Sequence, residues 1–264
     1  MLPILLLLSL LAPLGAQTRL LVTVVDRRTA EPVKDLKAAD FSVLDDRTAR
    51  RVEAAAYSPA LLDVMLLFDT SLVGERVFPL GDAFISGLEE KEQMAIVSFA
   101  SSADLIQDFT SSKTLLRQAA HQVKYGNLPR VIDALYAAAE GGFQNTVGRK
   151  VIVILTAGLE GDSRTPERDA LRQARVNQIS IFPVYVVGAD RSLFERLARD
   201  SGGAFFSARD LKLAPPKLAE RVYAVLRGRY VLTLAGNQAL GDRVRVEVTP
   251  RPGARLWASA LPLD

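Results

Sequence analysis

Leu61-Leu62-Asp63-Val64-Met65-Leu66-Leu67-Phe68, closed by Asp69-Thr70-Ser71-Leu72-Val73, is the stretch whose reading decides the fold of this chain. Only Asp63 interrupts its apolar run, so it lacks the alternation of a strand with one wet face. A short, near-continuous apolar run is the mark of a strand covered on both sides. Met94 to Phe99, Val151 to Leu155 and Ile179 to Val187 repeat the pattern. Between them apolar residues recur at helical spacing, in Val77, Leu80, Phe84 and Leu88, in Ile132, Leu135 and Ala139, and in Leu193, Leu197 and Ala198. Pro79 holds the start of the first helix near that point. Gly202-Gly203 ends the last helix and leads to a short strand expected at Ala204 to Phe206. Strands alternating with helices from Leu61 to Phe206 predict an α/β fold, a Rossmann-like, mostly parallel sheet with helices on both faces.

The ends read differently. Leu20, Val22 and Val24 alternate with other positions, Asp26 to Thr29 forms a turn, and Phe41 to Leu44 with Asp45-Asp46 gives a second strand and turn. Tyr230 to Leu234 and the alternating Val244, Val246 and Val248 supply strands at the other end. Each end is too small to bury a core alone, so the two flanking β segments are expected to pair with each other or to dock separately on the α/β unit. Pro215-Pro216 and Pro250 to Gly253 read as boundaries. The expected organisation is a leader at 1–16, an amino-terminal β segment at 17–58, an α/β domain at 59–228 and a carboxyl-terminal β segment at 229–264.

Within the leader, the apolar run Ile4 to Leu11 and the small pair Gly15-Ala16 have the form of a secretory signal, too short to span a bilayer comfortably. Cleavage near Ala16 would start the mature chain at Gln17 and place it outside the cytoplasm, periplasmic or secreted. Membrane attachment is expected only if the leader is retained. The 264 residues contain no cysteine, which removes disulfides and thiolate sites and suits a bacterial exported protein. A net charge of +3 with scattered basic residues is not a nucleic-acid footprint. The one histidine, His121, lies in a helical stretch and reads as a plain helix residue.

The loop Asp69-Thr70-Ser71-Leu72-Val73 resembles the metal-binding loop of von Willebrand factor type A domains, Asp-x-Ser-x-Ser, at the end of the first core strand. Ala95 to Phe99, the strand-like Ala103 to Phe109, and Asp133-Ala134-Leu135-Tyr136 continue the resemblance. Asp40 to Val43, Ser201-Gly202-Gly203, Phe205-Phe206 and Tyr230 to Leu232 extend it to a bacterial exported family called VWFA-related. That resemblance implies a von Willebrand A-type binding module, with Ala103 to Phe109 as an antiparallel edge. In such domains an ion-dependent adhesion site takes two hydroxyls and an Asp from the first loop, a Thr from the second and an Asp from the third. Asp69 and Ser71 match. Val73, Pro129 and Ala157 replace the other three ligands with side chains that cannot coordinate. Mg²⁺ needs about six oxygens, so the site is expected to be degenerate and without a metal or other cofactor. Any weak residual Mg²⁺ or Mn²⁺ would fall to Asp69 and Ser71, with Glu160 or Asp162 as further donors. Asp69 is better suited to a local role than to a cation, capping the following loop or helix by accepting backbone N–H groups at the end of its strand with Ser71 assisting.

The expected function is non-enzymatic binding of a protein or cell-surface ligand at the loops beyond the carboxyl ends of the core strands, where open α/β sheets form their crevice. Asp69, Ser71, Leu72, Val73, Asn127, Pro129, Ala157 and Glu160 are the residues expected there. The alternatives are a structural or assembly subunit of an envelope complex working through its β flanks, and residual cation-dependent adhesion. Enzyme chemistry lacks its parts: there is no Gly-x-Ser-x-Gly and no Gly-rich phosphate loop.

Overall fold

The computed structural model describes residues 17–241 and 243–263; the leader expected at 1–16 lies outside them. The chain opens with β1 (Arg19–Asp26), β2 (Glu31–Pro32), β3 (Phe41–Asp45), β4 (Thr48–Arg50) and β5 (Val52–Pro59). The central unit follows as β6 (Leu62–Asp69), α1 (Phe78–Gly87), β7 (Gln93–Phe99), β8 (Ala103–Thr110), α2 (Lys113–His121), α3 (Val131–Gly141) and β9 (Arg149–Thr156). It continues through α4 (Glu167–Val176), β10 (Ser180–Tyr185), α5 (Arg191–Asp200), β11 (Phe206–Ser207), α6 (Ala208–Leu211) and α7 (Pro215–Arg227). β12 (Gly228–Leu234), β13 (Val244–Val248) and β14 (Leu256–Leu263) close the chain.

The central sheet has the order β11-β10-β9-β6-β7-β8, parallel except for β8, which runs antiparallel to β7 at the edge. β6 therefore lies inside the sheet, with Leu66 beside Ile96 on one side and Val153 on the other. Every residue of β6 is buried, which is why its sequence does not alternate. α1 packs against α2 and α7 and α3 against α4, covering the two faces. Tyr223 of α7 donates its hydroxyl to the carbonyl of Phe84 in α1, satisfying a phenol that would otherwise be buried alone. His121 ends α2 with its ring 5.0 Å from that of Phe78, edge to face, a packing role as expected.

The two ends of the chain meet in one antiparallel sheet, β14-β1-β12-β5, with β2 added beside β1. Leu21 sits between Val231 and Leu261. A second sheet, β13-β3-β4, packs over it around Leu20, Val22, Phe41, Val43, Leu232 and Val246. Tyr230 fixes this small core by stacking edge-on with Phe41 and Tyr57 and accepting the Leu36 N–H at 2.9 Å.

Three local readings are corrected. Pro215 and Pro216 do not mark a boundary but open α7, where a first-turn proline has no intrahelical N–H to lose. The last central strand is Phe206–Ser207, not Ala204 to Phe206. A side chain at Gly203 would strike the Ile181 carbonyl, and the buried Gly203 carbonyl accepts Trp257 Nε1 and Ser259 Oγ of β14. β5 and β14 have no counterpart in the sequence reading. The run Ala54-Ala55-Ala56 carries little strand propensity, and Pro262 lies within β14, so pairing with β12 and β1 makes these segments strands. Among the described residues no helix is long and apolar enough to cross a membrane.

Candidate functional site

Beyond the carboxyl ends of β6 and β9, three loops converge on Asp69, the last residue of β6 and wholly buried. Its Oδ1 accepts the Ser71 N–H at 2.9 Å. Its Oδ2 accepts the Thr156 hydroxyl at 2.8 Å and the Ala157 N–H at 3.0 Å. Thr156 in turn accepts the Gly158 N–H, so the carboxylate holds the first loop against the turn after β9. Gly158 has φ +95 and lies against Gly188, a close approach of backbones that a side chain would prevent.

The second loop is tied to the first through its main chain. Leu72 N–H donates to Asn127 O and Gly126 N–H to Thr70 O, while Asn127 takes the left-handed conformation its short polar side chain tolerates. Ser71 Oγ, wholly buried, has no hydrogen-bond partner. Gly74 must remain without a Cβ because its backbone presses on the Asp69 carbonyl.

The third loop does not lie free in solvent as loop carboxylates usually do. Glu160 is half-buried and caps α3: Oε2 accepts the N–H groups of Val131 and Ile132, and Oε1 accepts that of Ser163. These are unpaired donors at a positive helix end, so a carboxylate is well placed there. Ser163 Oγ shares the Ile132 N–H with Glu160 and accepts the next one, from Asp133. Asp133 reciprocates by accepting the N–H groups of Arg164 and Thr165. Burial works to raise the Asp133 carboxyl, but the donors from Thr165 and Arg164 outweigh it and hold the group below its ordinary value. Beside this cap an open groove of about 410 Å³ is lined by Ile132, Glu160, Asp162, Glu167 and Asp190. Most of its carboxylates are occupied within the protein: Asp190 accepts Glu160 N–H, and Glu167 pairs with Arg196.

Residues 63–221 match the family model of the von Willebrand factor type A domain. The chain belongs to that family. Its domains are generally non-enzymatic interaction modules. Among solved structures, the chain is similar to proximal thread matrix protein 1 of the mussel byssus, with zinc occupying its MIDAS motif, at TM-score 0.55 and 18% identity, covering 69% of this chain and 50% of that one. It is also similar to the von Willebrand factor type A protein of Catenulispora acidiphila, at TM-score 0.55 and 11% identity, covering 95% of this chain and 74% of the other. At these identities the likeness is one of fold; in the second it takes in the flanking strands. The heat-inducible transcription repressor HrcA of Mycolicibacterium vanbaalenii aligns at 26% identity over 134 residues, 51% of this chain and 34% of that protein. The chain thus spans about a third of the length of the curated relative it matches.

Of the residues expected at the von Willebrand A crevice, Leu72, Val73 and Asn127 reach solvent, whereas Asp69, Ser71, Pro129 and Ala157 lie beneath the surface. The buried ones shape the loops and the exposed ones form their crest. Leu72 is 74% exposed, and Leu128, from the second loop, is 64% exposed. Tyr125 stands partly exposed in the same loop, its phenol raised by burial and further by Glu75 and Asp69. Sequence reasoning missed Tyr125 and Leu128. Their signal was two large apolar residues bracketing Gly126-Asn127, a turn dipeptide where polar residues are usual. It also missed Ser163, whose role depends on a helix end 30 residues away in sequence. Among the described residues no group of three His, Cys, Asp or Glu side chains converges as a metal site would require.

Proposed function

We propose that this chain is an exported, non-enzymatic module that captures a protein or cell-surface ligand at the crest of its central sheet, by apolar contact and without an obligatory divalent ion. One observation carries the reading: both Asp69 oxygens are engaged inside the protein, while Leu72 and Leu128 stand in solvent above it. A hard cation needs about six oxygens. Here Val73, Pro129 and Ala157 contribute no side-chain oxygen and Glu160 is committed to the start of α3, which leaves the buried Ser71 Oγ and the exposed Asp162 of the third loop, too few for a six-oxygen shell. The residues present do not fit Mg²⁺. The zinc-bearing motif of the mussel protein is a property of that chain. A non-enzymatic role is supported by the lack of cysteine and by the packing of His121 on Phe78. Export is supported by the apolar leader, and amino-terminal sequencing of protein from the native envelope should begin near Gln17.

Exposed apolar side chains clustered on a crest favour a partner that offers apolar surface in return. The test is capture from envelope extract by the mature chain, with and without chelator, beside the pair Leu72→Asp and Leu128→Asp. Capture should survive chelator and be lost in the double variant, whose melting temperature should stay near that of the parent because both side chains are exposed. Loss of capture on chelation would overturn the metal-free reading, and capture untouched by the double substitution would overturn the crest. A second reading, an assembly subunit of an envelope complex, draws on β5. This edge strand leaves Glu53, Ala54 and Ala56 exposed and, among the described residues, pairs only with β12. Loss of capture in Ala54→Pro with the crest variant unaffected would favour it.

A further inference from the structure

At the opposite end of the central sheet from the crest, Arg229 is the largest wholly buried side chain. It lies at the start of β12, in the flanking sheet, and its Nη1 donates to Ser180 Oγ at 2.7 Å, at the start of β10 in the central sheet. The Phe182 ring lies 5.5 Å from its Cζ. Nε and Nη2, the two parallel donors along one edge of the guanidinium, have no acceptor. Among the described residues no carboxylate pairs with it. The contrast with Arg227, two residues earlier, is direct: Arg227 makes two hydrogen bonds to Glu92, a carboxylate buried alongside it.

A second cation aggravates the imbalance. Arg149 donates to the carbonyls of Leu226, Arg227 and Ser58, all neutral acceptors, and Ser58 is the pairing partner of Arg229 across β5 and β12. Burial presses the Arg229 pKa well down, and the charge of Arg149 presses the same way. A guanidinium does not escape by neutralising itself, because it keeps its proton in proteins. An unpaired buried charge is costly, and the remedy is a counter-ion held by directed hydrogen bonds.

We propose that the Nε–Nη2 edge of Arg229 holds a small monovalent anion of chloride size, bridging the flanking sheet to the central one beside Ser180. Geometry selects the class of ligand. Two parallel N–H groups along one edge of a guanidinium can converge on a single bridging anion. Complete burial excludes the carboxylate of a partner protein or a phosphate ester, whose remainder would need a route to solvent. Because the anion binds only where β10 and β12 are together, it stabilises the docked arrangement of the two sheets.

The experiment is thermal unfolding of the full mature chain in sodium chloride against sodium gluconate at constant ionic strength, for the parent and for Arg229→Met. The parent should gain roughly 3–5 °C for each tenfold rise in chloride above the binding midpoint, and gluconate, too large for an enclosed site, should not substitute. Arg229→Met should lose the chloride dependence. Crystals of the parent soaked in bromide should give an anomalous peak within hydrogen-bonding reach of Nε and Nη2. If Arg229→Met fails to fold, the parent titration and the bromide peak decide together. Indifference of the parent to chloride, chloride dependence retained in Arg229→Met, or no bromide at that edge would each overturn the proposal.

Discussion

Replacing Asp69 with Ala separates a carboxylate that holds loops from one that waits for a metal. The substitution removes the acceptor for the Ser71 N–H, the Ala157 N–H and the Thr156 hydroxyl, at a position with no solvent exposure. The hydroxyl can rotate toward another acceptor; the two backbone donors cannot. Each buried donor left without a partner costs about 1–3 kcal/mol, so the two together should destabilise Asp69→Ala by about 2–6 kcal/mol. At about 2–4 °C per kcal/mol for a chain of this size, that corresponds to a fall in melting temperature of roughly 4–24 °C. Asp69→Asn should fall between the parent and the Ala variant. Its remaining oxygen can still accept from Ser71, but its amide would point a donor at the Ala157 N–H. The assay is urea unfolding followed by fluorescence and circular dichroism, with Mg²⁺ or chelator present in parallel. A carboxylate kept only for a cation would be a buried charge in waiting, and its removal would leave stability unchanged or raise it. Asp69→Ala within about 0.5 kcal/mol of the parent, or more stable, would refute the reasoning. So would an increase in stability with Mg²⁺ that vanished in the variant, since a ligand that binds only the native state must raise its melting point.

Two further outcomes follow from the same hydrogen-bond and burial pattern. Glu160→Ala, which strips the cap from the first N–H groups of α3, should cost about 1–2 kcal/mol in urea unfolding, and an unchanged midpoint would show that Ser163 suffices alone. Tyr185 carries a buried hydroxyl without a partner, and burial pushes its pKa up to about 12. A folded-state value above the unfolded value of about 10 contributes stability that is fully present below pH ~10 and lost as the pH rises through ~12. Tyr185→Phe should therefore match or exceed the parent at neutral pH and lose less stability between pH ~10 and ~12. Equal alkaline losses in the two proteins would contradict this.

Residue identity was sufficient wherever the physics was local or categorical. The apolar run of β6 could not belong to a half-wet strand, so its place inside a covered sheet was legible before any contact was known. Val73, Pro129 and Ala157 have no side-chain oxygen in any fold, and that these three positions offer no ligating side chain needed no coordinates. Tertiary structure alone decided what depends on partners distant in the chain. Alternation at Leu20, Val22 and Val24 is satisfied by many possible neighbours, and only the assembled sheet selects β12 and β14, more than 200 residues away. A carboxylate such as Glu160 looks the same in sequence whether it faces water or a helix end, because its environment is set by where the start of α3 comes to rest. The exposure of Leu72 and Leu128 and the burial of Arg229 are of the same kind. A strand's own covering can be read from its periodicity, but whether a single side chain meets water, a hydrogen-bond donor or an unbalanced charge is settled by the packing of the whole chain.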